Sequence, residues 1–445
     1  MTSGDTIVAP ATPYGFSGLA IIRLSGNQAL NITKKQTHRS SDKLLFKHRS
    51  AILCSIYSTG GDPFDDVMVT YFKAPNSYTG EDVVEISCHG NPTIVEEAIF
   101  TACHYGARVA EPGEFTRRAF INGKLDLLQA EAIADMINTQ SVEGAKLSYR
   151  NLQGSLSSQI NLIRENLIKT LGLVEFELDI SEDESHSSTI ISVREEIQRL
   201  TTLINQLLES YLQGKLFTRG ATVVITGKSN VGKSTLLNAL SNTERAITSH
   251  IPGTTRDVID VTILVRGLPI RLVDTAGLRT TNEPIETEGV KRAHQYIKTA
   301  DLIISVSDNP SDLNTPLPSF SAPTIKILNK IDLPDVWSSS PDILSVSAKT
   351  GQGLNDLINC IIETLGLTKA ETPSVLLTTA RQRNILTKAR DSLSRGLTLA
   401  NENDPSFELV SFELRSVLDC VDRILGKTTS EEILNNIFNR FCVGK

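Results

Sequence analysis

Apolar positions change their spacing twice along the first half of the chain. Up to residue 120 they fall in short runs, Asp5–Ala9, Gly18–Leu24, Ala51–Tyr57, Asp66–Phe72 and Asp82–Cys88, broken by Gly, Pro and Asn clusters. These runs predict strands. The last of Asp66–Phe72, Val67-Met68-Val69-Thr70-Tyr71-Phe72, is largely apolar on both faces and predicts a strand covered on both sides. Pro92–Tyr105 places Ile94, Ala98 and Ala102 on one face of a helix. Residues 1–120 therefore predict a small mixed α/β domain. From Gly123 the period becomes helical: Leu125, Leu128, Ala132 and Met136, then Leu156, Ile160, Ile163, Leu167, Leu171 and Val174, then Val193, Ile197, Leu200, Ile204, Leu207 and Tyr211. The acidic run Glu175–Glu184 between the last two reads as a solvated loop.

From about 217 to 372 buried-strand runs alternate with helices: Ala221–Thr226, Ile270–Val273, Leu302–Ser307, Thr324–Leu328 and Ile343–Val346. That alternation predicts a doubly wound parallel sheet. After Glu371-Thr372-Pro373 the helical period resumes, with Ile385, Ala389, Leu393 and Leu397, then Leu409, Phe412 and Leu414–Leu418, then Ile433, Ile437 and Phe441. Isolated amphipathic helices need partners for their apolar faces. The economical plan is an α/β multidomain chain: the N-terminal domain, one discontinuous all-α domain over 121–216 and 373–445, and an inserted domain with the doubly wound sheet over 217–372. Gly214-Lys215-Leu216-Phe217 and Thr372-Pro373 then read as hinge-like joins.

The length, 445 residues, suits about three domains. Net charge is 44 − 51 = −7, so indiscriminate nucleic-acid binding is disfavoured, and an RNA partner needs a local basic patch or a basic partner subunit. Six cysteines without C-x-x-C pairing predict reduced thiols. Arg23 interrupts the early apolar run and no stretch reaches the roughly 20 apolar residues of a membrane span, so the expectation is a cytoplasmic protein with no membrane partner.

The chemistry is concentrated in the inserted segment. Gly227-Lys228-Ser229-Asn230-Val231-Gly232-Lys233-Ser234, after a strand and before the helix that continues from Thr235, fits a phosphate loop. Its glycines let backbone N–H groups curl round a phosphate, Lys233 offers charge to the β and γ phosphates, and Ser234 can ligate Mg²⁺. Asp274-Thr275-Ala276-Gly277 follows another strand, where the carboxylate can hold Mg²⁺ through water and Gly277 can approach a γ-phosphate. Asn329-Lys330-Ile331-Asp332 follows a third; the Asp332 carboxylate suits the two N–H donors of guanine. Ser347-Ala348-Lys349 closes the purine pocket. In this order, at these strand ends, the motifs predict GTP binding. Leu278 stands where small GTPases often carry a water-steering Gln, so another group must serve. Asn230 and the loop Thr248-Ser249-His250-Ile251-Pro252-Gly253-Thr254-Thr255 can together offer oxygens to a monovalent cation; a loop-rigidifying amide is the alternative for Asn230. Glu286 can orient water through a bridging molecule, or be one of several solvated acids in Glu283–Glu288.

The chain resembles the MnmE (TrmE) family of tRNA-modification GTPases over essentially its full length. The resemblance lies in Ala11-Thr12-Pro13-Tyr14-Gly15, Tyr78-Thr79-Gly80-Glu81-Asp82, Phe115-Thr116-Arg117-Arg118-Ala119-Phe120, Asn122-Gly123-Lys124-Leu125-Asp126, Gly253-Thr254-Thr255-Arg256-Asp257, Asp274 to Arg279 and Phe441-Cys442-Val443-Gly444-Lys445. It implies a tetrahydrofolate-binding N-terminal domain, a helical domain and an inserted Ras-like P-loop G domain. It also implies a homodimer that works with the flavoprotein MnmG, as a heterotetramer, on C5 of the wobble uridine of certain tRNAs, with 5-formyl- or methylene-tetrahydrofolate as one-carbon source. By position, Arg23, Glu81, Lys124 and Lys445 match folate contacts. Ser234 and Thr255 match the Mg²⁺ site, Asn230, Ser249, Ile251 and Thr254 the K⁺ site, and Glu286 the catalytic acid. The family often has Thr where Ser249 stands, and the loop Leu178-Asp179-Ile180-Ser181-Glu182 departs from its usual run. Cys442 reads as a reduced, half-buried thiol. Two rival functions share some of these features: a regulatory GTPase of ribosome assembly like the Era or Der groups, and a folate-dependent aminomethyltransferase that uses its G domain as a switch.

Overall fold

A computed structural model describes residues 4–38, 47–179, 187–243, 245–247, 260–274, 295–314, 322–334, 340–366, 375–439 and 441–445. The chain forms two compact units: Met1–Ala134 with Ser157–Ile168 and Arg415–Lys445, and Asp135–Leu156 with Lys169–Leu414. Among the described residues no helix is long and apolar enough to cross a membrane.

The first unit is built on a six-stranded sheet. Its strands are β1 (Thr6–Pro10), β2 (Ser17–Ser25), β3 (Ala51–Tyr57), β4 (Pro63–Phe72), β5 (Val83–Gly90) and β6 (Ala107–Val109), in the order β3-β4-β5-β2-β1-β6. Helices α1 (Ala29–Gln36) and α2 (Pro92–His104) cover one face, packing Ile32, Val95, Ala98 and Ala102 on Val8, Ile22, Leu24, Val69 and Ile86. Asn91 starts α2 by accepting the Thr93 amide on its side chain, a standard N-cap. The opposite face of β1 is covered at Ile7 and Ala9 by Phe115 of α3 (Glu114–Ile121). β4 is not covered on both sides as its sequence suggested. Val67, Val69 and Tyr71 are buried, but Met68 is 40% exposed, as is its cross-strand neighbour Leu53 at 63%. Leu127 and Leu128 open α4 (Leu127–Asn138), whose predicted inward Met136 is 40% exposed.

In the second unit α5 (Val142–Leu152) and the long α7 (Ser187–Arg219) pack together, and α7 also packs along the helix Ala380–Ala400. The stripe Val193, Ile197, Leu200, Ile204 and Leu207 is buried as its spacing predicts. So is the stripe Leu156, Ile160, Ile163, Leu167, Leu171 and Val174 on α6 (Ser155–Asp179), a helix whose residues 157–168 belong to the first unit. Two readings change. Glu175–Asp179 is the last turn of α6, not loop. Gly214–Phe217, expected as a hinge-like join, lies inside α7, which runs on to Arg219; a Cβ at Gly214 would strike the Leu377 carbonyl. Leu216 is fully buried in the core of the sheet that follows. The second join, Thr372-Pro373, lies outside the described residues.

That sheet contains β7 (Ala221–Thr226), β8 (Arg245–Ile247), β9 (Asp260–Val265), β10 (Leu268–Asp274), β11 (Leu302–Ser307), β12 (Thr324–Leu328) and β13 (Ile343–Ser345), in the order β13-β12-β11-β7-β10-β9-β8. The five strands from β13 to β10 are parallel, as predicted. β9 and β8 extend it antiparallel, an addition the sequence reading did not contain. The chain leaves β7 for β10 on one side and returns to β11 on the other. Such a reversal opens a crevice at the carboxyl ends of the strands.

Candidate active site

Four connections converge on that crevice. After β7, residues Gly227 to Gly232 loop into α8 (Lys233–Thr243). Gly232 has φ of +93°, and a Cβ there would collide with the Asn329 amide, so glycine is required for conformation and for space. Lys233 is buried, 5% exposed, and its ammonium donates to the Gly227 carbonyl at 3.0 Å and the Lys228 carbonyl at 2.6 Å. Ser234 donates from Oγ to Asp274 Oδ2 at 2.7 Å, and Asp274, the last residue of β10, is fully buried. The two groups expected around Mg²⁺ thus face each other. They supply one hydroxyl and one carboxylate oxygen, a donor set suited to a hard divalent cation.

Asn329 has more to do than its place in a guanine motif suggests. Its Nδ2 donates to the Val231 carbonyl at 2.9 Å, while its Oδ1 accepts the Ala348 amide at 3.0 Å. One buried amide therefore ties the phosphate loop to the purine loop after β13. Asn329→Ala leaves two buried backbone groups unpaired, which costs about 2 kcal/mol or more. We expect a lowered melting temperature together with weakened GTP binding in a titration; unchanged binding would separate the two loops. Lys330, at φ +69°, donates to the Asn230 carbonyl at 2.7 Å and to Asp308 at 2.6 Å. Lys228 pairs with Asp312 at 2.8 Å. These two acids follow β11 and were not singled out from sequence; their place just past a strand end was the available signal. Ser347 donates to Asp332 Oδ1 at 2.7 Å, and this bond holds the exposed Asp332 carboxyl below its usual value. Asp332 thus stays an acceptor for an incoming N–H pair. Asn230 is exposed with φ +65°, Thr235 is exposed on the first turn of α8, and Lys349 is exposed at the purine loop.

The structure brings together Asn230, Val231, Gly232, Lys233, Ser234, Asp274, Asn329, Lys330, Asp332, Ser347 and Ala348. Ser249, His250, Ile251, Pro252, Gly253, Thr254, Thr255, Thr275, Ala276, Gly277, Leu278 and Glu286 lie outside the described residues.

A second cluster of expected site residues sits in the first unit. Arg23 donates to Glu85 Oε1 from Nε at 3.0 Å and from a terminal nitrogen at 2.7 Å, and to the Gly444 carbonyl at 3.3 Å; its guanidinium stands 5.2 Å from the Tyr78 ring centroid. Burial, then the charge of Arg23, pushes the Lys445 ammonium below its usual value. Glu81 accepts the Ser25 hydroxyl at 2.7 Å and Arg118 at 3.2 Å. Lys124 donates to the Pro75 carbonyl at 3.1 Å, next to Asn122, which donates to the Thr79 carbonyl at 2.7 Å. Both Arg23 and Glu81 thus have protein partners. The hub is Arg118, which reaches Asp5, Glu81 and Glu114. Cys442 is exposed rather than half-buried.

A family model described as the MnmE helical domain matches residues 127–442, and one described as the GTP-binding protein TrmE N-terminus matches residues 6–124. A tRNA modification GTPase MnmE of Aquifex aeolicus is 40% identical, aligned over 99% of this chain and the whole of the relative. One from Chlorobium chlorochromatii is also 40% identical, over 99% of this chain and 98% of the relative. Among solved structures, the G domain of the T. maritima FeoB iron transporter is 28% identical over 32% of this chain and 98% of that one, with a TM-score of 0.25, too low to add to the assignment. With both family models in sequence and 40% identity from end to end, the chain belongs to the MnmE family of tRNA modification GTPases.

Proposed function

We propose that the protein is a GTP-hydrolysing enzyme of tRNA modification. Working with the flavoprotein MnmG as a heterotetramer, it adds a carboxymethylaminomethyl group to C5 of the wobble uridine of certain tRNAs, and a tetrahydrofolate supplies the one-carbon unit. In the domain plan that goes with this reading, 1–120 bind folate, 121–216 with 373–445 form the helical domain, and 217–372 form the G domain. The observation that carries the GTPase part is the convergence of Lys233, Asp274, Asn329 and Asp332 on one crevice.

On this reading Lys233 exchanges its two loop carbonyls for the phosphates, Asp332 takes the guanine N–H edge, and Asn329 keeps both loops in register. Ser234 and Thr255 would hold Mg²⁺, which when bound neutralises charge on the β and γ oxygens. Asn230, Ser249, Ile251 and Thr254 would hold K⁺ between the G domains of a homodimer, and Glu286 would orient the attacking water. Arg23, Glu81, Lys124 and Lys445 would contact folate. A folate's glutamate tail entering beside Lys445 and Arg23 would relieve the repulsion between those two cations.

GTP hydrolysis measured in K⁺ and in Na⁺, with 5-formyltetrahydrofolate titrated into the same samples, tests the reading. We expect hydrolysis to be slower in Na⁺, and Glu286→Ala to lower kcat by about a hundredfold with GTP affinity unchanged. Indifference to the cation would remove the K⁺ site, and equal loss of binding and turnover in the variant would remove the catalytic role of Glu286.

A further inference from the structure

An acidic chain that acts on tRNA needs a local basic patch or a basic partner subunit, and this chain has a candidate for the first. Residues 34–49 carry six Lys and Arg against one Asp, in a chain whose net charge is −7. The described part of that stretch is unusual in placing rings beside its cations. Lys35 lies in the last turn of α1, and His38 follows three residues on, just past the C-cap Thr37. Lys35 Nζ stands 5.7 Å from the centroid of Tyr105, whose ring meets His104 edge-on at 5.3 Å. The His38 ring stacks on Tyr57 at 4.0 Å with 8° between planes, from a left-handed backbone at φ +51° that a side chain adopts only with local support. Lys35, His38 and His104 are exposed, while Tyr57 and Tyr105 are half-buried and so held firm.

We propose that Lys34, Lys35, His38, Tyr57, His104 and Tyr105 form a docking surface for the tRNA, an inference that rests on the tRNA-modifying reading above. The lysines take backbone phosphates and release their counterions. The exposed His38 ring, backed on one side by Tyr57, offers its other face to an unpaired base of an RNA loop, the usual way proteins grip single-stranded RNA. An anionic membrane fits less well, because the rings lie against neighbouring side chains rather than standing clear to insert into lipid.

The test uses the full chain and bulk tRNA, with binding followed by fluorescence anisotropy across a salt series. Lys34→Glu with Lys35→Glu should weaken binding about tenfold or more and lower the slope of log K against log salt by about one to two. His38→Ala should weaken it by about fivefold with the slope unchanged. A fold defect would not divide the two variants in that way, and both should hydrolyse GTP at the wild-type rate. Binding by both variants within twofold of wild type overturns the surface while leaving the tRNA reading intact. So does a loss of binding confined to vesicles of anionic lipid. Failure of the wild-type complex with the flavoprotein to modify tRNA removes the reading itself.

Discussion

Replacing Lys233 by alanine will lower kcat/KM for GTP hydrolysis by about a hundred- to a thousandfold, or about 3–4 kcal/mol. The ammonium sits inside the loop, 5% exposed, on the carbonyls of Gly227 and Lys228. Those carbonyls hold the charge inside the loop and set its direction before a nucleotide arrives, and a preorganised charge in a water-poor site acts with little reorganisation. Removing it leaves the developing charge on the γ-phosphoryl group without its cation and, before nucleotide binds, leaves the two carbonyls without the ammonium. Lys233→Arg should rescue little, because a planar fork cannot occupy the position of a compact ammonium between two carbonyls. Steady-state hydrolysis with a parallel GTP titration measures both terms. A Lys233→Ala enzyme within tenfold of wild type would mean that the phosphate is neutralised elsewhere.

The elements that sequence reads well here are those whose identity is local. Ala51–Tyr57, Ala221–Thr226, Leu302–Ser307 and Thr324–Leu328 are strands with the bounds their apolar runs set. The phosphate loop and the guanine motif are legible because their chemistry fixes residue types at short spacings. Reading fails where the deciding partner is remote. In the helix Phe407–Leu425 two stripes compete: Leu409 and Phe412 fit the helical period, yet they are 52% and 66% exposed. The buried stripe is Val410, Leu414, Val417, Val421 and Ile424, and periodicity alone cannot choose between faces that are both apolar. Gly214 suggested a joint, but the partner that explains it, the Leu377 carbonyl, comes from far along the chain. Arg118 is the clearest case. Two of its three carboxylate partners lie 113 and 37 residues away, so no window of sequence exposes the cluster.

That cluster should dominate the stability of the first unit. Arg118→Met will destabilise it by about 3 kcal/mol or more, since removing one member of a largely buried charge network strands the others. The guanidinium bonds Asp5 Oδ1 at 2.6 Å, Glu114 Oε1 at 3.0 Å and Glu81 Oε2 at 3.2 Å, and the Glu114 side chain is fully buried. Burial alone pushes the Glu114 carboxyl up, but hydrogen bonds from Arg108, the Glu111 amide and Arg118 outweigh it and leave the group below its usual value. Asp5 follows the same balance, burial against Arg108 and Arg118. A carboxyl whose value is depressed by folding contributes stability that is complete above its unfolded value, about 4, and is lost as pH falls through the lower folded one. Without Arg118 both carboxyls shift upward, so the acid loss should begin at a higher pH than in the wild type. Hydrogen exchange of the amides in β1 and β2, followed from neutral pH to about pH 4, reads this unit directly. Wild-type exchange rates in the variant at neutral pH, or an unchanged onset in acid, would mean that Arg108 alone carries the network.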